Sequence, residues 1–426
     1  MELKTKYQYS YFIYPYLIKD YTKYIYKLLK NKKCKLKVFD KNKDIQIASY
    51  FLPEIKDIMF WSLDVSENSI KSYNTMDLKM KANILSKKQC NFFEYTIDGD
   101  VSGKIGEKNG IFFDITKIEI VCFDTGICFL IIKTEIDENS NMSEVLNFNY
   151  KFRDICSKIG HTKEFENIKI QTRKFDNMKK FSKFIEEIAG TNIETRKLNI
   201  DTEKLITYSY VCLDQNSWNE NTDISSLEKE FEKYRNINPA NEQITDSLHQ
   251  ERSIYKEKYL YYGFSNNSTV LLTCDNNIKN YTSLLFEYEN VQLYHFIYCL
   301  HQKNYLKKLN YEFNKTKNFE KIKTRFLEFA KRNWIYEITN NPNGVILDKY
   351  FCDEQKLDDA FIKLKTNYDL LYKEYKVEKM NKYHKIIISV IGIITIIALI
   401  KLWISLINWK GNLYENKNRC RYYRNQ

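Results

Sequence analysis

One stretch near the end of the chain limits what it can fold into more than any other. Ile386-Ile-Ile-Ser-Val-Ile-Gly-Ile-Ile-Thr-Ile-Ile-Ala-Leu-Ile400 is fifteen residues without a charge, and Leu402 to Trp409 follow after Lys401. Roughly 20 apolar residues, at about 1.5 Å rise each, cross a ~30 Å hydrocarbon layer. Residues 386–409 suffice for one crossing and are too few for two. Trp403 and Trp409 stand where interfacial aromatics belong, and Lys379, Lys382, Lys385 and Lys410 bracket the segment. A core helix of a soluble domain would present a polar face to water, and these mostly β-branched residues leave none. The expectation is a single transmembrane helix over 386–409 and a basic tail over 410–426. Lys417, Arg419, Arg421 and Arg424 make that tail basic too, so charge does not orient the span. The opening residues lack the uninterrupted apolar core of a signal peptide. That favours a large N-terminal part in the cytoplasm, anchored single-pass at the inner (plasma) membrane.

Projected at about 100° per residue, Ala398, Lys401, Ser405 and Asn408 share one arc of the outer half. Ser389, Gly392 and Thr395 wind along a neighbouring arc. A lysine at membrane depth is costly unless it meets water, protein or the interface. Two readings stay open: Ser389, Thr395, Lys401, Ser405 and Asn408 line a conduit in an oligomer, or Lys401 snorkels and the small residues only pack helices closely.

Before the membrane, Leu357, Phe361, Leu364, Tyr368, Leu371 and Tyr375 recur at 4-3-4-3-4 spacing, the rhythm of a helix seam. Self-association, or a neighbouring helix of the same chain, must cover that seam. With no Pro or Gly between Gly344 and the membrane, one continuous helix is expected from about Glu354 to Trp409. Residues 276–340 also read as helical, with a turn at Asn341-Pro342-Asn343-Gly344. The first 275 residues look mixed. Ile115–Phe123 and Ile127–Ile136 read as a hairpin around Asp124-Thr125-Gly126. Leu205–Leu213 and Ser268–Cys274 read as strands, Tyr21–Lys30 as a helix, and the segment from Phe181 to Ile188 as a helix stopped at Gly190. The fold class is therefore α+β: a mixed α/β cytoplasmic, ligand-binding domain (1–275), a helical hairpin (276–352), a coiled-coil-like stalk (353–385), the membrane helix (386–409) and the tail (410–426).

Several functions are disfavoured by what the sequence contains. The formal net charge of +12 invites an anionic partner. The basic runs Lys30–Lys35 and Lys179–Lys183 are short, however, and no zinc-finger or RNA-binding signature accompanies them, so no direct nucleic-acid partner is expected. The ten cysteines form no Cys-x-x-Cys pair and suit a reducing compartment. His295 and His301 are six apart and poorly placed for a shared metal, which leaves them as packing or surface residues. No phosphate-binding glycine loop or nucleophile elbow is present. Neither catalytic residues nor metal ligands are assigned, and the chain is not expected to be an enzyme.

The C-terminal third carries Leu300-His301-Gln302, Leu306-x-x-Leu309, Phe326-Leu327-Glu328-Phe329, Trp334-Ile335-Tyr336-Glu337-Ile338 and Asn341-Pro342-Asn343-Gly344, leading to a long stalk that enters the membrane. In these motifs it resembles the divergent CorA-like membrane proteins. The pair Ile118 to Leu130 is similar to strands of their cytoplasmic domain. The resemblance implies a homo-oligomeric funnel whose stalk helices line a pore. The Gly-Met-Asn filter of magnesium-carrying members is absent; Gly411-Asn412-Leu413 follows the only span. Relatives without that filter are encoded beside type III CRISPR systems, and the resemblance therefore implies an antiviral effector switched by a nucleotide second messenger. Arg153, Arg332 and Trp334 are then the expected phosphate and base contacts. The alternatives are a constitutive divalent-cation (Mg2+) channel and a tail-anchored scaffold without a pore. No cofactor is expected beyond the nucleotide ligand or the cation.

Overall fold

Aromatic and β-branched residues crowd the segment Thr5–Leu17 on both of its faces, and it forms β1, the 13-residue strand near the middle of a twelve-stranded sheet. The structure is a computed structural model; it describes residues 3–97, 101–105, 110–153, 168–172, 179–190, 193–194, 198, 204–220, 224–239, 254–315 and 319–422. The other strands are β2 (Cys34–Lys37), β3 (Cys90–Tyr95), β4 (Val101–Ile105), β5 (Ile111–Phe123), β6 (Ile127–Glu135), β7 (Ile168–Thr172), β8 (Lys179–Lys180), β9 (Ile206–Leu213), β10 (Ile254–Glu257), β11 (Leu260–Ser265) and β12 (Ser268–Cys274). Their order is β10-β11-β12-β9-β1-β6-β5-β4-β7-β8. The outer edge of β5 is shared, β4 pairing with its first half and β3, which carries β2, with its second. Every pairing is antiparallel except β12 with β9.

The hairpin, the strands and the two helices expected within residues 1–275 all form. At the β5–β6 turn, Gly126 takes φ +80° with its would-be Cβ only 2.9 Å from the Ile18 carbonyl oxygen. Only glycine meets both demands without strain.

Both faces of the sheet are buried. On the first, Phe12, Leu130, Ile120 and Val211 meet α1 (Tyr21–Lys30), α6 (Met142–Phe152), α7 (Phe181–Ala189) and α9 (Ile224–Asn236). Four short helices precede β3: α2 (Ile45–Tyr50), α3 (Pro53–Met59), α4 (Glu67–Thr75) and α5 (Leu78–Leu85); α8 (Gln215–Glu220) follows β9. The second face carries Tyr9, Tyr11, Tyr208 and Tyr210, all buried. It is covered by a π turn over Tyr288–Gln292, which follows α10 (Ser283–Glu287), and by α11 (Leu293–Lys315). Every residue of α11 from Leu293 to Gln302 is buried. Its polar residues therefore need partners inside the protein.

Three expectations change after residue 315. First, α12 ends at Arg332 (Phe319–Arg332), so Trp334 to Ile338 lie outside any helix. Second, Asn341-Pro342-Asn343-Gly344 starts a helix. The Asn341 side chain accepts from the Gly344 N–H at 3.1 Å and Pro342 occupies the first turn of α13 (Pro342–Gln355), the positions both residues favour. Third, α13 and the long helix α14 (Leu357–Tyr422) are separate, because Lys356 sits in the left-handed region at φ 51°. α14 also runs through the expected tail as far as Tyr422.

The chain divides into two compact units, Met1–Lys317 with Thr324–Ile362, and Asn318–Lys323 with Lys363–Gln426. The first holds the sheet together with α11 and α13. The second holds most of α14. The architecture is thus mixed α+β, an N-terminal sheet domain and a long C-terminal helix apolar enough to span a membrane.

Candidate functional site

The 66 residues of α14 contain the one helix segment, among the described residues, that is long and apolar enough to cross a membrane. None of its most apolar 18-residue window is buried within the chain. Ser389 Oγ donates to the Lys385 carbonyl at 2.9 Å, and Thr395 Oγ1 donates to those of Ile391 at 2.6 Å and Gly392 at 3.1 Å. Both hydroxyls are satisfied by their own helix, which removes their cost in lipid. Lys401, Ser405 and Asn408 are exposed.

The heptad seam below the span is partly covered by α12. In the first unit Phe361 stacks on Trp334 at 4.3 Å between ring centres and lies 6.0 Å from Phe326. In the second, Phe319 stacks on Tyr368 at 5.5 Å and Tyr375 at 4.9 Å. Leu357 and Leu364 are buried, while Phe361, Tyr368, Leu371 and Tyr375 are half-buried. A neighbouring helix of the same chain thus supplies cover for three aromatic positions of the seam, Phe361, Tyr368 and Tyr375, and the exposed apolar surface lies further along α14.

Arg332 and Arg153 lie apart. Arg332 Nη2 is 3.5 Å from Asp124 Oδ2 at the β5–β6 turn. With its amide oxygen turned inward, Gln89 accepts from Arg332 Nη2 at 3.1 Å and Nε at 3.2 Å. The same turn is held by Lys308 Nζ, which donates to the Thr125 carbonyl at 2.5 Å, and by His301 Nε2, 3.0 Å from Thr125 Oγ1. Arg153 ends α6 on the first face, its guanidinium 5.5 Å from the Tyr150 ring. The three expected ligand contacts do not converge: one side of the sheet carries Arg153, the other Arg332, and Trp334 is stacked on Phe361.

His295 and His301 are both fully buried rather than surface residues. His301 stacks on Phe123 at 3.8 Å, and burial, then the Lys308 charge, pushes its pKa down to about 3. His295 Nε2 lies 2.8 Å from Asp348 Oδ1, and its Nδ1 is 2.9 Å from the Tyr50 hydroxyl. The ligand atoms of His295, Cys299 and Asp348 all lie within 4.8 Å of one another, close enough to hold a metal ion.

No protein-family model, curated protein or solved structure matches the chain. The last group is not among the residues expected from the sequence, where His295 is compared only with His301. The signal was present as His295-x-x-x-Cys299 and Asp348-x-x-x-Cys352, each pair on one face of a helix.

The Asp124–Arg332 junction has a measurable pH signature. Burial pushes the Asp124 carboxyl up to about 6, Arg332 pulls it partly back, and Glu328 pushes it further up. The unfolded value is about 3.9, so the folded chain holds this proton more tightly. That stability is present below about 3.9 and is lost as pH rises through 6. Asp124→Asn is therefore expected to gain on the wild type by about 2 kcal/mol between pH 4 and pH 8. Urea titrations of both proteins across that range measure it. A gap that stays constant with pH refutes it.

Proposed function

We propose that the chain is a homo-oligomeric, CorA-like membrane effector. Its copies gather their C-terminal helices in the plasma membrane, with the sheet domain on the cytoplasmic side. Lys401, Ser405 and Asn408, on one arc, face a shared conduit, and a small nucleotide-class anion bound by the sheet domain shifts the helices between two arrangements. The observation that carries this reading is the wholly unburied 18-residue apolar stretch of α14, in a chain whose sheet is covered on both faces. Such a helix calls for lipid, and a lysine on it calls for company or water. The net charge of +12 suits an anionic ligand.

A second reading, the non-conducting anchored scaffold, draws on the Ser389 and Thr395 hydroxyls bonding their own helix. Reconstitution separates the readings. The full-length chain in liposomes is expected to pass ions only when a member of a panel of linear and cyclic oligonucleotides is added, and Lys401→Ala is expected to change the conductance. Flux without ligand supports instead the constitutive divalent-cation channel. A folded, correctly oligomeric protein that passes no ions under any condition leaves the scaffold.

A further inference from the structure

We infer that His295, Cys299, Asp348 and Cys352 form a binding site for one divalent transition-metal ion of the zinc class, clamping α13 to α11. The argument starts from spacing. His295 and Cys299 are i, i+4 on α11, and Asp348 and Cys352 are i, i+4 on α13, so each helix presents two donors on one face. The four donors converge on Asp348 Oδ1: His295 Nε2 lies 2.8 Å away, Cys352 Sγ 3.8 Å and Cys299 Sγ 4.0 Å. The two thiols also interact with each other.

The dimensions suit a tetrahedral site. Zinc bonds of about 2.0 Å to nitrogen and oxygen and about 2.3 Å to sulfur imply donor separations of roughly 3.3 Å for N···O, 3.5 Å for S···O and 3.8 Å for S···S. Reaching them requires opening the His295–Asp348 contact and drawing Cys299 Sγ toward Asp348 by about half an ångström, while Cys352 Sγ, 3.8 Å from Asp348 but outside the 4.8 Å group, swings in further. That is side-chain adjustment within two packed helices. The donor set chooses the metal. Two thiolates and an imidazole favour a borderline ion, whereas magnesium and calcium call for oxygen ligands.

Support around the ligands fits as well. Tyr50 holds His295 Nδ1 at 2.9 Å, leaving Nε2 aimed at the centre, as a ligating histidine requires. His295 and Cys299 are fully buried, while Asp348 keeps 17% of its side chain exposed and Cys352 is half-buried. The group is thus closed on the sheet side and reachable from the other. Because α13 leads through Lys356 into α14, an ion here fixes the last helix of the sheet domain before the long one begins. This holds whether or not α14 conducts.

Cobalt(II) is the probe. In detergent and reductant, the full-length wild type is expected to bind one Co2+ per chain, giving the strong visible bands of tetrahedral cobalt and thiolate charge-transfer absorption. Zn2+ should displace it and raise the thermal midpoint by several degrees. Cys352→Ser, at the half-exposed position where folding is least at risk, should lose about half the charge-transfer intensity and at least tenfold in affinity. Cys299→Ser/Cys352→Ser should lose the charge transfer entirely. No tetrahedral cobalt spectrum from folded wild type overturns the inference. So does a spectrum unchanged in the double variant.

Discussion

A chain ending at residue 385 is expected to stay in the aqueous supernatant, while the full-length chain pellets with membranes and comes free only in detergent. Between Ile386 and Ile400 stand eleven Ile, Leu and Val residues, each favouring insertion by about 0.3–0.6 kcal/mol at a helix centre. Lys401 opposes with a few kcal/mol at most, less if it reaches the interface. The balance favours the bilayer by only a few kcal/mol, so one further charge should tip it. Ile394 is 60% exposed. Ile394→Arg adds about 2.5–3.5 kcal/mol and is expected to let alkaline carbonate release a large fraction of the protein from membranes. Ile394→Leu should behave as wild type. Wild type recovered as a water-soluble monomer without detergent would sink the membrane reading.

How far the sequence could be read depended on which rule each segment obeyed. Tyr21–Lys30 was legible because one face is polar, and Asp20 caps it by accepting from the Lys23 N–H at 3.0 Å. The β5–β6 hairpin announced itself through Gly126. By contrast β1, which the rest of the sheet is built around, was missed. Its two faces are both buried, so Tyr9, Tyr11 and Ile13 on one and Phe12 and Tyr16 on the other erase the alternation that marks a strand. The donor group at His295 was hidden for a different reason. Asp348 and Cys352 fall within the expected helical hairpin, but their contact with His295 and Cys299 on α11 spans about fifty residues, and no local spacing carries it. The expected contacts Arg153 and Arg332 were separated by the sheet, a long-range fact that no local pattern carries.

Glu119→Leu is expected to destabilise the sheet domain by about 3–5 kcal/mol, and Lys37→Met added to it to restore most of that loss. Glu119 is 1% exposed on β5 and faces α11. Lys37 Nζ from β2 reaches it at 2.6 Å, Lys117 Nζ at 3.4 Å, and the Tyr294 hydroxyl donates to it at 3.1 Å. Burial pushes the Glu119 carboxyl up, but Lys37, Lys117 and the hydrogen bonds from Lys37 and Tyr294 outweigh it and hold the pKa below its ordinary value. Burial likewise pulls Lys37 down, and Tyr294 and Glu119 more than reverse that. Removing the carboxylate alone leaves the Lys37 ammonium, only 17% exposed, in an apolar layer beside Phe39 and Tyr294, with the half-exposed Glu94 carboxylate at 3.5 Å as a weaker partner. Lys117, 27% exposed, has a shorter way out to water. Removing both charges leaves shapes that pack, and a buried pair replaced by apolar groups is often neutral. The pH dependence has a fixed sign. A folded pKa below the unfolded value of about 4.3 stabilises above that value, and the benefit is lost as pH falls through the folded one. Urea titrations should therefore show wild type losing this share of its stability on acidification, while Lys37→Met/Glu119→Leu does not. Equal losses in the single and double variants would mean that the pair is not the unit joining β2, β5 and α11.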